Sequence, residues 1–227
     1  MLAAHFAAEL ESTYQQCQHT QAYAYNALAA GQRALKNLLL AFISSTENPA
    51  TTAQQQFERA NNMTDTIGAL TPLVHQSKDP TQALQSYYEQ FQHAALAIDK
   101  WFTVQATRPA SCDAPVLAHI RALLKHPAFT LKNPNRARSV LGAFALQNPS
   151  VFHSHSGEGY QLWAEHVIAL DALNPQVAAR LARALDRWPK LIAPLQTKAK
   201  EALQSIARAT GLSTDVLEIV SKALGNP

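Results

Sequence analysis

The stretch "LQSYYEQFQHAALAIDKWF", residues 84–102, decides the fold class. Leu84, Tyr88, Phe91, Ala95, Ile98 and Phe102 recur at alternating steps of four and three. That spacing keeps them on one face of an α-helix and on no face of a strand. The same rhythm returns in Leu191, Leu195, Ala199, Leu203 and Ile206, and in Val177, Leu181, Leu185 and Trp188. No segment alternates with period two. The reading is all-α, with about eleven helices over 2–17, 27–45, 49–60, 63–76, 80–105, 113–125, 134–147, 159–173, 175–187, 190–209 and 213–224.

The boundaries between these stripes repeat one device. Asn48-Pro49, Asp79-Pro80, Asn133-Pro134, Asn148-Pro149 and Asn174-Pro175 each read as a side-chain acceptor followed by proline at the first helical position. The acceptor satisfies one unpaired amide at the helix start, and the proline removes another. Short helices joined by short capped loops predict antiparallel pairs stacked side by side, an irregular α-solenoid or superhelix of the armadillo or HEAT kind. No strict period is present, so this is not a consensus repeat array.

Composition agrees. Of 227 residues, 47% are hydrophobic and 15% charged, enough apolar surface for a substantial core. The net charge of +3 comes without basic runs. It permits an anionic partner but calls for neither nucleic acid nor a membrane surface. Arg180, Arg183 and Arg187, on one side of the 175–187 helix, are too narrow a stripe for nucleic-acid binding. Two cysteines, Cys17 and Cys112, make no disulfide framework and fit a reducing, cytoplasmic setting. The densest apolar run, Leu38 to Ile43, is far shorter than a bilayer span. Leu2, Ala3, Ala4 and Phe6 are helical in pattern from the outset without a cap, so the chain is expected to begin inside a longer protein.

Catalytic signatures are missing. H-E-x-x-H, the P-loop, G-x-G-x-x-G and G-x-S-x-G do not occur. His153, His155 and Glu158 sit in a Ser/Gly-rich segment without the i, i+4 scaffold that fixes metal ligands, and read as a mobile polar loop. Glu165 and His166 are adjacent and diverge on a helix. Cys17 and Cys112 lack a neighbouring base and read as buried thiols. Tyr87, Tyr88 and Phe91 read as core, as does Lys100-Trp101-Phe102.

Arg136 and Arg138 are harder to place. In "FTLKNPNRARSVLGAF", residues 129–144, they flank a predicted helix start, where the macrodipole mildly disfavours positive charge. An acidic neighbour or an anion site accounts for them equally well. Helix-start amides together with guanidinium groups suit a carboxylate.

The segments "GQRALKNLLLAF" (31–42), "NNMTD" (61–65), "MTDTIGAL" (63–70), "DKWFTVQAT" (99–107), "LLKHPAFTLKNPNRARSVLGAF" (123–144) and "NPQVAARLA" (174–182) resemble, in order, the C-terminal region of bacterial aminopeptidase N, the zinc-dependent alanyl aminopeptidases of gluzincin type. The resemblance runs from about Tyr23 to Leu224. It implies that the chain is most of the last, helical domain of a much longer peptidase, without its opening helices, and residues 1–227 are then one superhelix domain. Zinc, its ligands and the catalytic carboxylate belong in that family to earlier domains. The chain alone is therefore expected to hold no metal and to hydrolyse no peptide.

In the family the superhelix closes over the catalytic cleft and restricts access to a chamber. Arg138 and Arg180 match family positions that look placed to face it, and Gln176 lies one turn before Arg180. The resemblance thus implies substrate-binding roles for Arg138, Arg180 and Gln176, no catalytic residue, and as partners the catalytic domain of the same polypeptide and peptide substrates. The segment "HSGEGY" departs from the family pattern, so no role is carried over there. A different reading of the same helices is a free-standing α-solenoid scaffold for protein partners. If the chain is a piece, Leu2, Phe6 and Leu10 of its first helix have lost their neighbours, and self-association through that helix is expected.

Overall fold

Side-chain acceptors start several of the helices. Asn26 accepts from the Ala29 amide at 2.9 Å, Asn62 from Asp65 at 3.0 Å, Asn174 from Val177 at 3.1 Å and Ser213 from Val216 at 3.3 Å. In this computed structural model residues 2–18, 23, 25–45, 49–77, 79–110 and 115–225 are described, and every regular element among them is helical. None of these helices is long and apolar enough to cross a membrane. The chain divides into two units, Met1–Val104 and Gln105–Pro227.

In the first unit, α1 (Leu2–His5), α2 (Ala7–Gln16), α3 (Ala27–Ile43), α4 (Pro49–Arg59), α5 (Met63–Gln76), α6 (Thr81–Phe91) and α7 (Ala95–Ala106) follow in order, α7 running just past its end. Helix α3 packs on α2 and α5, and α4 on α5. A polar network ties them. Lys36 and Asp65 form a buried ion pair at 2.7 Å, their side chains 5% and 8% exposed. Asp65 also accepts from Asn37 and Asn62, both at 3.0 Å. Gln56 donates to the Asp65 carbonyl at 3.0 Å and accepts from the Tyr14 hydroxyl at 2.9 Å. The close approach of α3 and α5 requires Gly68, where a Cβ would lie 2.1 Å from Asn37 Oδ1.

The stripe at 84–102 is helical throughout in pattern but not in fact. The chain turns at 92–94, and α6 and α7 run antiparallel. Trp101 Nε1 donates to the Leu84 carbonyl at 3.0 Å and the Tyr87 hydroxyl to the Ala97 carbonyl at 3.1 Å. A straight helix would separate Leu84 from Trp101 by about 25 Å at 1.5 Å per residue. The buried face of α6 is Ala83 and Tyr87, one step round from the stripe, with Leu84, Tyr88 and Phe91 only half-buried. Burial of Tyr87 pushes its phenol up to about 12. Local periodicity does not register a hairpin whose two arms share a helical phase.

In the second unit, α8 (Val116–Leu123), α9 (Pro134–Ala137), α10 (Ala143–Gln147), α11 (Pro149–Phe152), α12 (Glu158–Asp171), α13 (Pro175–Ala182), α14 (Ala193–Ala207) and α15 (Thr214–Ala223) follow. Helix α12 packs on α13 and α14, and α15 on both of those. Trp163 donates to the Leu181 carbonyl at 3.0 Å and Trp188 to the Ala223 carbonyl at 2.9 Å, closing the ends of α13 and α15. Asp171 accepts from the Ser213 amide at 2.7 Å and the Ser213 hydroxyl at 2.5 Å, tying the end of α12 to the start of α15.

The Asn-Pro device works unevenly. Asn133 accepts from Asn135 and Arg136, as Asn174 does from Val177, and Asp79 from Thr81. Asn148 does not cap. Its amide donates to the carbonyls of Ala106 at 3.0 Å and Arg108 at 2.7 Å, forty or more residues away. Asn48 and Cys112 lie outside the described residues. Cys17 is buried and free.

The segment 153–158, read as a mobile loop, is pinned. Lys198 donates to the carbonyls of His155 and Ser156. Gly157 adopts φ 74°, and a Cβ there would meet the Lys198 side chain at 2.6 Å. His153 bonds the Tyr160 hydroxyl at 2.8 Å beside Phe152, whose ring lies 5.4 Å from Phe144 and 5.2 Å from Tyr160. Burial lowers the His153 imidazole. His119 and His126 are lowered also, by burial and then by Arg108 and Arg136 respectively.

Asp65→Ala strands the Lys36 charge in the interior and should cost about 3–5 kcal/mol, read by denaturant unfolding, whereas Lys36→Met with Asp65→Leu should lose clearly less. The three lowered histidines are neutral when folded, so the unfolded chain binds protons first as pH falls below the ordinary value of 6.5. Stability should be complete above that pH and decline through the interval down to the folded values. The decline in Tm from pH 7.5 to 5.5 should shrink in His153→Asn with His119→Gln.

Candidate functional site

Arg136 and Arg138 follow the cap of α9 and part company at once. Arg136 is buried, and its Nη1 donates to the Ala128 carbonyl in the preceding turn. It fastens the 126–133 loop to the helix start, so its guanidinium serves the fold. Arg138 is exposed. Its Nε donates to the Pro134 carbonyl at 3.2 Å and its Nη2 to Asn135 Oδ1 at 2.5 Å, both neutral and both within one turn. Among the described residues no carboxylate pairs with Arg138. The head group is thus oriented by its own turn with its charge uncompensated.

The backbone at Arg138 is unusual. Residues Arg138–Gly142 form a π turn between α9 and α10, inside what periodicity reads as one helix, 134–147. The extra residue in such a turn shifts the phase of everything after it by roughly 100°. Val140, Leu141, Ala143 and Phe144 are all buried as a result, a wider apolar face than a regular helix would present.

Gln176 and Arg180 lie one turn apart on α13, so they share a face, and both are exposed. No carboxylate pairs with Arg180 among the described residues. Nor does any hydrogen bond join Arg138 to Gln176 or Arg180. The arginine face drawn on a 175–187 helix does not survive. Helix α13 ends at Ala182, a 3-10 turn takes Arg183–Leu185, and Arg183 pairs with Asp186 at 3.0 Å on the surface.

Among the described residues no group of three or more His, Cys, Asp or Glu is placed to hold a metal ion. The polar cluster that sequence reading passed over is the Lys36–Asp65 network. Its parts stand in "GQRALKN" and "NNMTD", but only packing of α3 on α5 reveals that the two segments meet.

Residues 1–225 match the family model described as "Domain of unknown function (DUF3458_C) ARM repeats". The chain is 41% identical over 193 residues to aminopeptidase N of Haemophilus influenzae and 41% over 196 residues to that of Escherichia coli, each match covering 85% of this chain and 22% of the relative. It is 36% identical to aminopeptidase N of Caulobacter vibrioides over 99% of its own length and 26% of the relative's. The chain thus spans about a quarter of the length of these curated relatives. Among solved structures, Legionella pneumophila aminopeptidase A in complex with aspartic acid is similar at a TM-score of 0.85 and 31% identity, over 99% of this chain and 27% of that one. Helical throughout its described elements and matched end to end by one family model, the chain belongs to the DUF3458_C ARM-repeat family, that of the C-terminal helical domain of bacterial aminopeptidase N.

Proposed function

We propose that residues 1–227 are a noncatalytic domain of a longer, zinc-dependent aminopeptidase that removes N-terminal residues from peptides in the cytoplasm. The domain caps the active-site chamber, restricts access to it and helps to hold the peptide. Coverage carries this reading: matches over 85–99% of this chain amount to 22–26% of the aminopeptidases N. Zinc and the water it activates belong, in this reading, to the remaining parts of that polypeptide, which are also the domain's principal partner.

Arg138, Arg180 and Gln176 supply the contact with substrate. A short peptide gripped by its amine at the catalytic centre carries a carboxylate toward the capping domain. Two exposed guanidinium groups without protein carboxylates attract it by field and by charge-assisted hydrogen bonds. Nucleic acid is not a partner in this reading, since Arg183 is already paired and no basic stripe remains.

The apolar groove of about 360 Å³ lined by Ala3, Phe6, Leu10, Leu39 and Phe42 favours one accessory behaviour, association of the isolated chain with itself. Phe6 is 44% and Phe42 42% exposed there, while the Leu2 side chain lies outside the described residues. An interaction scaffold would use the same groove, but the run of aminopeptidase relatives favours the peptidase reading.

In the longer enzyme, Arg138→Ala with Arg180→Ala should raise KM for dipeptides and tripeptides about tenfold or more with kcat nearly unchanged, since a hydrogen bond to a charged group contributes about 1.5–3 kcal/mol. Dipeptide kinetics that match the parent's would dispose of the substrate role. The isolated chain should elute above monomer size in a concentration-dependent way, and Phe6→Glu should return it to monomer. A monomer at millimolar concentration would count against the groove.

A further inference from the structure

Helices α2, α3 and α4, the start of α5, and Gln18, Tyr23 and Asn26 line an open cavity of about 500 Å³ within the first unit. That is ample for a small molecule. Its lining is polar: amides and hydroxyls predominate, with Glu11, Arg33, Lys36, Arg59 and Asp65 as the charged groups. Two of these charges cancel, because Lys36 is held by Asp65 at 2.7 Å. Arg59 is exposed and Glu11 half-buried, and the Glu11 carboxylate accepts from Gln15 at 2.7 Å.

Arg33 is different. The residue is only 6% exposed, yet among the described residues its guanidinium makes neither a hydrogen bond nor an ion pair. Its single contact of note is the Tyr23 ring, 4.9 Å from the guanidinium carbon to the ring centroid. Arginine cannot shed its proton to escape burial, so the positive charge persists. A cation–π contact of this kind uses none of the guanidinium N–H donors in a hydrogen bond, so they stay free. Those donors match the two oxygens of a planar oxyanion. The side-chain amides of Gln32 and Gln55, also on the lining, have no partner among the described residues. They offer donors and acceptors to the rest of a ligand.

We propose that this cavity is a carboxylate-binding site, with Arg33, beside the Tyr23 ring, taking the carboxylate through its fork of N–H donors and Gln32 and Gln55 holding the polar body that bears it. Arg33, Lys36 and Arg59 against Glu11 and Asp65 leave the lining one positive charge in excess, which suits a monoanion better than a phosphate dianion. The carboxylate arrives either on a free small molecule, such as an amino acid, or on an Asp or Glu side chain from another segment of a longer polypeptide. Water alone would give the guanidinium hydrogen bonds but no counter-charge.

The test is a titration of the 15N-labelled chain with acetate, L-glutamine and inorganic phosphate against sodium chloride of equal ionic strength, following the Arg33 Nε–H and the Gln32 and Gln55 amide resonances. Saturable shifts with acetate and L-glutamine, tighter than with phosphate, are expected. Arg33→Lys should weaken binding about tenfold, because the planar fork of donors is lost while the charge remains. Gln32→Leu should weaken L-glutamine more than acetate, an outcome that does not depend on how an Arg33 variant folds. Repeating the titration in the longer protein separates the two sources. Saturation there as well marks a free ligand, and its loss there marks an internal carboxylate already in place. A response indistinguishable from chloride, or tighter binding of phosphate, would overturn the assignment.

Discussion

Short helices leave many carbonyl oxygens unpaired, and the need to satisfy them governs much of this structure. Each α-helix ends with four carbonyls that have no intrahelical partner, so a chain of short helices multiplies the problem. Here long side chains supply the donors. Trp163 and Trp188 donate to carbonyls in the last turns of α13 and α15, at Leu181 and Ala223, while Trp101 ties α7 to α6 through Leu84, a carbonyl inside its helix. Asn148 serves two carbonyls beyond the end of its own helix pair, Arg136 one before its helix, and Lys198 two in the 153–158 loop. Each such bond spans several residues or dozens, and so fixes the packing of neighbouring elements.

This constraint also explains why positive side chains are unevenly available. Arg136, Lys198 and Lys36 are engaged by the fold, through carbonyls or a buried carboxylate. Among the described residues no acid engages Arg33, Arg138 or Arg180, and the three differ in setting. Arg138 and Arg180 stand in solvent, where an uncompensated charge is cheap and its field reaches outward. Arg33 lies inside a polar cavity, where the same charge is costly and acts only on what enters. One residue type thus falls into three physical situations.

Much of the architecture was legible because helix periodicity and capping are local. The limits of α3 and α5 follow from Asn26, Asn62 and the stripes behind them. Three features escaped that logic. The turn at 92–94 preserves helical phase on both sides, so the 84–102 stripe passes through it unbroken. The π turn at Arg138–Gly142 inserts a residue without any proline or glycine break at its start. Asn148 has the residues of a cap but is used as a long-range donor. In each case the local pattern is compatible with more than one outcome.

Sequence by itself determined that the chain is helical, where most helices begin, and which family it joins, since these rest on residue types at fixed short spacings. The tertiary structure alone decided which arginine is buried, which polar groups meet, and where a cavity opens. Those outcomes depend on contacts between residues 10 to 40 positions apart, whose burial and partners no local pattern encodes. Arg33 and Arg136 look alike in their segments. Only the packing around them makes one a strut and leaves the other with a charge to be met.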